Sequence, residues 1–219
     1  RRVGGTRPRP DGGVGVTTLG DEFGQIDIYL FDQLLRQRIQ PGMRVLDAGS
    51  GHGRNLVYLL RHGFDVSAVD RSPGATAKVA ALAAQLAPSL PSTQFRTEAL
   101  ESLSFPDTSF DLVVCSAVLH FADDAAHFEA MVGELWRVLA PGGLLFARLA
   151  SSIGIETRVV SLGGGRYHLP DGSDSYLVDE AQLLTLTERV GGTLADPIKT
   201  TNVQGQRCMT TWVVRKPTA

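Results

Sequence analysis

The densest cluster of chemistry-bearing residues in this chain is Asp47, Gly49, Gly51 and Gly53, followed by a second acid, Asp70. Glycines at alternate positions leave no side chains where the backbone must turn tightly against a ligand. An acid about twenty residues further on, at the tip of the next strand, is placed to accept hydrogen bonds from ribose hydroxyls. The spacing therefore describes a turn built for a nucleotide-like ligand, with Asp47 and Asp70 as its polar contacts. Three more residues could act on whatever is held there. His120 lies just beyond the apolar run FDLVVCSA, where an imidazole can exchange a proton near neutral pH or simply bond within its own loop. Arg148 emerges near the end of LLFARL and could pair with an anionic acceptor or only neutralise a nearby carboxylate. Tyr29 could close over the ligand or pack on a helix. Tyr167 and His168 sit in GGGRYHLP, whose glycines read as a mobile flap or an ordinary surface loop. His62 and His127 read as solvent-side helix residues.

Positioning such a turn requires strands and helices in alternation, and the hydrophobic periods supply them. Ile28, Phe31, Leu34, Leu35 and Ile39 recur at helical spacing, which predicts a helix from about Ile26 to Ile39 that Pro41-Gly42 stops. Val45 and Leu46 begin a buried parallel strand. A helix is predicted over Arg54 to His62, a second strand over Phe64 to Val69, and an alanine-rich helix opened by Ser72-Pro73 and ended before Pro88. Strand three falls near Gln94 to Glu98 and strand four over Phe110 to Ala117. Phe128, Met131, Val132, Leu135, Val138 and Leu139 form the clearest helical stripe, which Pro141-Gly142-Gly143 is expected to end before a fifth strand, Leu144 to Leu149. Beyond Ser151 the pattern becomes irregular and glycine-rich, then gives a helix near Asp179 to Val190 and a final strand pair ending at Thr211 to Val214. The alternation implies an α/β fold, a single doubly wound three-layer Rossmann-like domain.

Composition narrows the partners. The chain of 219 residues is long enough for one sizeable core. Its formal net charge of −2 lacks the basic footprint of a phosphate-tracking protein, so no nucleic-acid partner is expected. Arg1, Arg2, Arg7 and Arg9 alternate with Gly, Thr and Pro, and residues 1–20 read as a mobile arm ahead of a domain over 21–219. Two cysteines, Cys115 and Cys208, stand in apolar surroundings as packed thiols, consistent with a reducing cytoplasmic setting. No run approaches the roughly 20 apolar residues of a membrane span. The oligomeric state is not legible.

Four ordered blocks carry a resemblance: LDAGSGHG from Leu46, VDRSP from Val69, FPDTSFDLVVCSAVLHF from Phe105 and RVLAPGGLLF from Arg137. They resemble the class I S-adenosylmethionine-dependent methyltransferases. GHGRN and QRCMTTWVVRK look closest to the tellurite-resistance and small-molecule branch. The resemblance implies a seven-stranded, mostly parallel sheet with an antiparallel last strand and S-adenosyl-L-methionine across the tips of strands one, two and four. It also implies roles. Gly49, Ser50, Gly51 and Gly53 lie under the cofactor, and Asp47 organises its ammonium end. Asp70 takes the ribose hydroxyls, with Arg71 beside it among the cofactor-binding residues; Arg54 and Asn55, opening the first helix, could meet the cofactor carboxylate, with helix capping as the other reading of Asn55. Glu98 with Ala99 or Leu100 reads adenine, and Cys115 and Ser116 touch the methionyl part through backbone atoms. His120, Tyr29 and Arg148 are the candidates facing a small-molecule acceptor.

Departures from the resemblance exclude subclasses. Strand four ends in neither the Asn/Asp-Pro-Pro-Tyr of adenine-amino methyltransferases nor a Pro-Cys nucleophile, and it lacks an acidic cluster for Mg²⁺, so no metal is expected. Lys199, Thr200 and Thr201 stand where tellurite-resistance proteins carry a His-Arg pair. Two other classes stay open. An NAD(P)-dependent oxidoreductase shares the strand-turn-helix unit, but Arg54 occupies its third glycine position. A noncatalytic cofactor-binding module is the other.

Overall fold

The structure, a computed structural model, describes residues 18–218. The arginine-rich segment 1–17 lies outside the described residues. Residues 18–20, counted within the expected arm, belong instead to a capped helix: Thr18 caps α1 (Leu19–Phe23) in a reciprocal pairing with Asp21. No helix among the described residues is long and apolar enough to cross a membrane.

An eight-stranded sheet forms the frame, in the order β10-β11-β5-β4-β1-β2-β3, with β9 pairing β11 off that path. The buried runs make the centre: β1 (Arg44–Ala48), β2 (Asp65–Asp70), β3 (Phe95–Thr97), β4 (Phe110–Ser116) and β5 (Leu139–Ser151) are parallel. β11 (Arg207–Arg215) runs antiparallel to both β5 and β10 (Lys199–Val203), and short β9 (Thr193–Leu194) also pairs with it. The predicted seven-stranded, mostly parallel sheet with an antiparallel last strand is present, with β9 added.

Alternation along the strands sends side chains into two cores. Val45, Val66, Val114 and Phe146 pack against α2 (Ile28–Leu35), α3 (Val57–Arg61) and α4 (Pro73–Leu86). Leu46, Val113, Leu145 and Trp212 face α5 (Ala125–Val138) and α6 (Glu180–Arg189). The doubly wound three-layer reading holds.

Several boundaries move for identifiable reasons. The expected helix 26–39 shrinks to α2 because Asp27 caps its start and Gln37 turns left-handed at φ 57° beyond its end. Ile28 and Leu35 are left 68% and 67% exposed rather than buried. Residues 51–56 form turns beneath the strand tips, so α3 begins at Val57 rather than Arg54. Pro141-Gly142-Gly143 does not break the chain before the fifth strand; it lies inside β5, where the β4–β5 register shifts between Phe110 and Leu112.

The largest difference is the segment after Ser151. Rather than an irregular flap, it builds a second, three-stranded antiparallel sheet from β6 (Val160–Gly163), β7 (Arg166–His168) and β8 (Asp174–Tyr176). Gly163, Gly164 and Gly165 all have positive φ, making the tight turn between β6 and β7. Tyr176 of β8 anchors this sheet by stacking on Phe128 of α5, with ring centroids 4.7 Å apart.

Candidate functional site

A cleft of about 650 Å³ opens at the carboxyl ends of β1, β2 and β4. Its volume is within the range of pockets for drug-sized ligands. β2 ends on Asp70, whose carboxylate accepts from the Gly51 N–H at 2.9 Å and the Ser72 N–H at 2.9 Å, so both oxygens are aimed along the rim of the glycine turn. A Cβ built on Gly51 would meet nothing within 4 Å, because that position faces open space. A Cβ on Gly49 would lie 2.8 Å from Val118 Cγ1, so only glycine lets the turn slide beneath the loop that follows β4. Ala117 in that loop has φ 65°, a left-handed conformation rare for alanine, and its N–H donates to the Arg148 carbonyl at 2.7 Å.

Of the residues expected to touch a cofactor, the cleft brings together Gly49, Gly51, Asp70, Arg71, Ala99 and Leu100. Others lie deeper. Asp47 is 2% exposed, its Oδ2 has no partner, and burial pushes its carboxyl up to about 7, with Arg54 opposing and Asp70 adding to the shift. Ser50 is buried with its hydroxyl unpartnered, and Gly53 packs against Val79 and Leu82 of α4. Cys115 points its thiol into the α5-side core, where burial raises its pKa and leaves it inert.

Glu98 is a correction. Its carboxylate accepts from the Ser104 N–H at 3.0 Å and from the Ser104 hydroxyl, which turns it away from the cleft. Glu101, one turn further on, lines the cleft instead. His127, read from sequence as a solvent-side residue, also lines it, with its ring nitrogens 3.4 Å from Glu101 and 3.3 Å from Asp123. Val118, Phe121 and Met131 add apolar wall, and the second sheet contributes Arg166 and Asp174. His168 is directed to Asp174 at 2.6 Å rather than to the cleft. Only the spacing of an acid before a helix could have hinted at the Glu101–His127 pair.

A second polar cluster sits under α2, on the same face as Asp47. Its centre is Asp27, whose side chain is 0% exposed. One carboxylate oxygen accepts from the Tyr29 N–H at 3.0 Å. The other accepts from Arg148 Nη1 at 3.0 Å and the Ser116 hydroxyl at 3.3 Å, with Arg54 Nη2 3.6 Å away. Arg54 also donates to Ser116 Oγ at 2.9 Å. Asn55 is buried and accepts from the Asp27 N–H at 2.9 Å, so it fixes the start of α2 rather than facing the cleft. Tyr29 reaches Thr201 on β10 at 2.8 Å, and Arg148 lies 5.4 Å from its ring centre. Sequence reasoning missed Asp27; its place before IYLF signals a helix cap, but nothing local signals two arginines arriving from elsewhere.

His120 does not line the cleft. It sits in the 3-10 turn Leu119–Phe121 with a buried, unpartnered Nδ1, and burial first, then the Arg207 charge, lowers its pKa to about 4. The imidazole is therefore neutral at pH 7.

An adenosyl cofactor fits these donors and acceptors: an open turn at Gly51, a carboxylate at Asp70, an apolar wall at Ala99 and Leu100, and an unpartnered buried acid at Asp47. Comparison with known proteins agrees. The chain is 38% identical over 123 residues to the ubiquinone biosynthesis O-methyltransferase of Methylocella silvestris, covering 54% of this chain and 46% of that one. The chain thus spans about half the length of the curated relatives it matches. A SAM-dependent methyltransferase from Methanosarcina mazei superposes with a TM-score of 0.65 at 22% identity, covering 85% of this chain and 98% of that one. The [4+2]-cyclase SpnF superposes equally, with a TM-score of 0.65 at 19% identity over 87% of this chain and 81% of its own. These likenesses show a shared fold. The stretch that carries the glycine turn, both acids and strands β1 to β5 as far as Ala147 matches the family described as methyltransferase domain, over residues 46–147.

Proposed function

We propose that this protein transfers a methyl group from S-adenosyl-L-methionine to a small-molecule acceptor by in-line displacement, without a metal. The observation that carries the reading is the Asp70 carboxylate set against the open face of Gly51, with the unpartnered Asp47 buried behind it. When bound, the cofactor supplies a methyl group already activated on a sulfonium.

The chain's own residues then have to position. Asp70 holds the ribose hydroxyls, and the Asp47 carboxylate, costly to ionise alone, gains a partner in the ammonium group. Ala99 and Leu100 bound the adenine. Arg54, already the more exposed arginine of its cluster, is within the turn's reach for the carboxylate. Well-oriented approach contributes about 7 to 11 kcal/mol to such a reaction, whereas a general base adds about 10²- to 10⁴-fold. His120, with a pKa near 4 and its ring outside the cleft, is a weak base at neutral pH and is not needed as one in this reading. Tyr29 and Arg148 border the acceptor side.

Among small acceptors, the name of the Methylocella relative points to an oxygen nucleophile on a quinol-like ring, and tellurite is the less favoured choice because Lys199, Thr200 and Thr201 stand where tellurite-resistance proteins carry a His-Arg pair. A second reading, a cofactor-binding protein with a different or lost chemistry, is favoured by the equal likeness to a cyclase. Calorimetric titration with S-adenosylmethionine and NADH tests the cofactor; affinity for NADH alone would reject the proposal. Production of S-adenosylhomocysteine is then assayed over thiols, amines, phenols and carboxylates. Silence across that panel, with the cofactor bound, favours the second reading.

A further inference from the structure

Among the buried polar groups outside the cleft that have no partner, two stand together: Nε of Arg148 and Oγ1 of Thr211. They come from adjacent strands, β5 and β11, and are direct partners in the antiparallel register. Phe146 and Val213, two positions along the same strands, pack into the α2-side core, so Arg148 and Thr211 face the same way, toward α2. Buried polar groups are normally satisfied, so two orphans side by side call for a third participant.

Arg148 is fixed for a particular kind of partner. Its Nη1 is spent on Asp27, which leaves the Nε and Nη2 edge of the guanidinium, a planar pair of donors matching the two oxygens of a carboxylate. The Thr211 hydroxyl adds a third donor. Charge does not oppose it: among the described residues Asp27 is the only carboxylate within 4 Å of Arg148, and Arg54 shares it. Lys199, in register with Thr211, does not compete for this place, since its amine lies 3.8 Å from Asp32. The position is also right for an acceptor rather than the cofactor. The cleft follows β1, β2 and β4, whereas Arg148 and Thr211 stand on the next two strands outward.

We propose that Arg148 and Thr211 form an anion subsite for a carboxylate carried by the methyl acceptor, with Asp27 as the positioning residue that holds the guanidinium edge toward it. This rests on the methyltransferase reading above and specifies its substrate class: a small carboxylate-bearing molecule.

The test follows the Nε–H signal of Arg148 by ¹H–¹⁵N correlation spectroscopy of the full chain saturated with S-adenosylhomocysteine, the signal being assigned by its loss in Arg148→Lys. Acetate, malonate and benzoate are titrated, with benzamide as the uncharged match for benzoate. At least one carboxylate is expected to shift the signal saturably, benzoate more tightly than benzamide by about tenfold or more, as a charge-assisted fork requires. Thr211→Val should weaken that binding about threefold to tenfold, the loss of one hydrogen bond. In Asp27→Asn the distinction between benzoate and benzamide should fall at least about threefold as the guanidinium loses its anchor; an unchanged distinction removes Asp27 from the assignment. If S-adenosylhomocysteine binds and no carboxylate moves the signal, the two groups serve a water only and the subsite is refuted. Failure of S-adenosylhomocysteine to bind at all refutes the underlying methyltransferase reading, and this inference with it.

Discussion

The two halves of the site, the cleft and the buried polar cluster beneath α2, are built differently. The half containing Asp70 draws on residues close together in sequence, Gly49 and Gly51, Asp70 and Arg71, and Ala99 to Glu101, with glycine and alanine among them where the turn lies open. The half under α2 is made of charged side chains from distant segments: Asp27 meets Arg148 across 121 positions, and Tyr29 meets Thr201 across 172. The first is a consequence of local turn geometry and forms wherever β1, β2 and the glycines are correctly paired. The second exists only once α2, β5 and β10 have all docked, and its parts are of little value separately. One half is a receptor made by the backbone; the other is a tertiary lock.

Breaking the lock should have the largest effect on folding. Asp27→Ala leaves two guanidinium groups facing a fully buried vacancy, and removing one partner of a buried ion pair costs about 3 to 5 kcal/mol. Urea unfolding measures it; a loss below about 1 kcal/mol would reduce the lock to the level of a surface pair. In the other half, Gly49→Ala must place a methyl group against Val118 in a left-handed backbone, at a cost of about 2 kcal/mol, partly recovered in Gly49→Ala/Val118→Ala. No recovery in the double variant would mean that the backbone, rather than Val118, sets the limit. Asp70→Ala should weaken S-adenosylhomocysteine binding by about 1 to 3 kcal/mol, measured by calorimetry, and should also loosen the glycine turn because it removes the acceptor of the Gly51 N–H. Equal affinity would remove Asp70 from the receptor half.

Protonation sharpens the comparison further. Asp47, raised to about 7, binds a proton in the folded state that the unfolded chain releases above about 4, so its contribution to stability declines as pH rises between about 4 and 7. His120, lowered to about 4, stays neutral where the unfolded chain is protonated, so its contribution declines as pH falls from about 6.5 to 4. The two slopes oppose each other between about pH 4 and 6.5. Asp47→Asn should therefore make stability rise more steeply with pH in that window, and His120→Gln should make it fall, as read by urea midpoints at pH 5 and 6.5. Parallel profiles for both variants and the parent would remove the opposition. The smallest effect is expected at the far end of β1, where the exposed Arg44–Asp111 pair should contribute under about 1 kcal/mol to Arg44→Ala despite its 2.7 Å contact.

What the sequence reveals follows the same division. Asp70, the glycines and the strand alternation are legible because each is set by spacing within about twenty residues. Glu98 was misplaced for a local reason: β3 is three residues long, and the loop after it folds back so that Ser104 captures the first acid and presents Glu101. His127 was misread because helical periodicity shows which face is apolar, but not that a loop will bring Glu101 across the polar face. The glycines of the β6–β7 turn read as freedom, whereas their positive φ values make a defined corner of a sheet. Asp27 was invisible as a centre because its partners are set by tertiary docking alone.

The left-handed alanine at position 117 has a further consequence. Glycine would adopt φ 65° without the steric penalty of about 1 to 2 kcal/mol, but it would adopt the mirror conformation as readily. The methyl group of Ala117 disfavours that φ, so the peptide is held in its orientation by the bond to the Arg148 carbonyl against the residue's own preference, and the floor of the crevice stores that strain. Ala117→Gly should thus release that strain and leave a protein no less stable, with the same bond to the Arg148 carbonyl at the floor of the crevice.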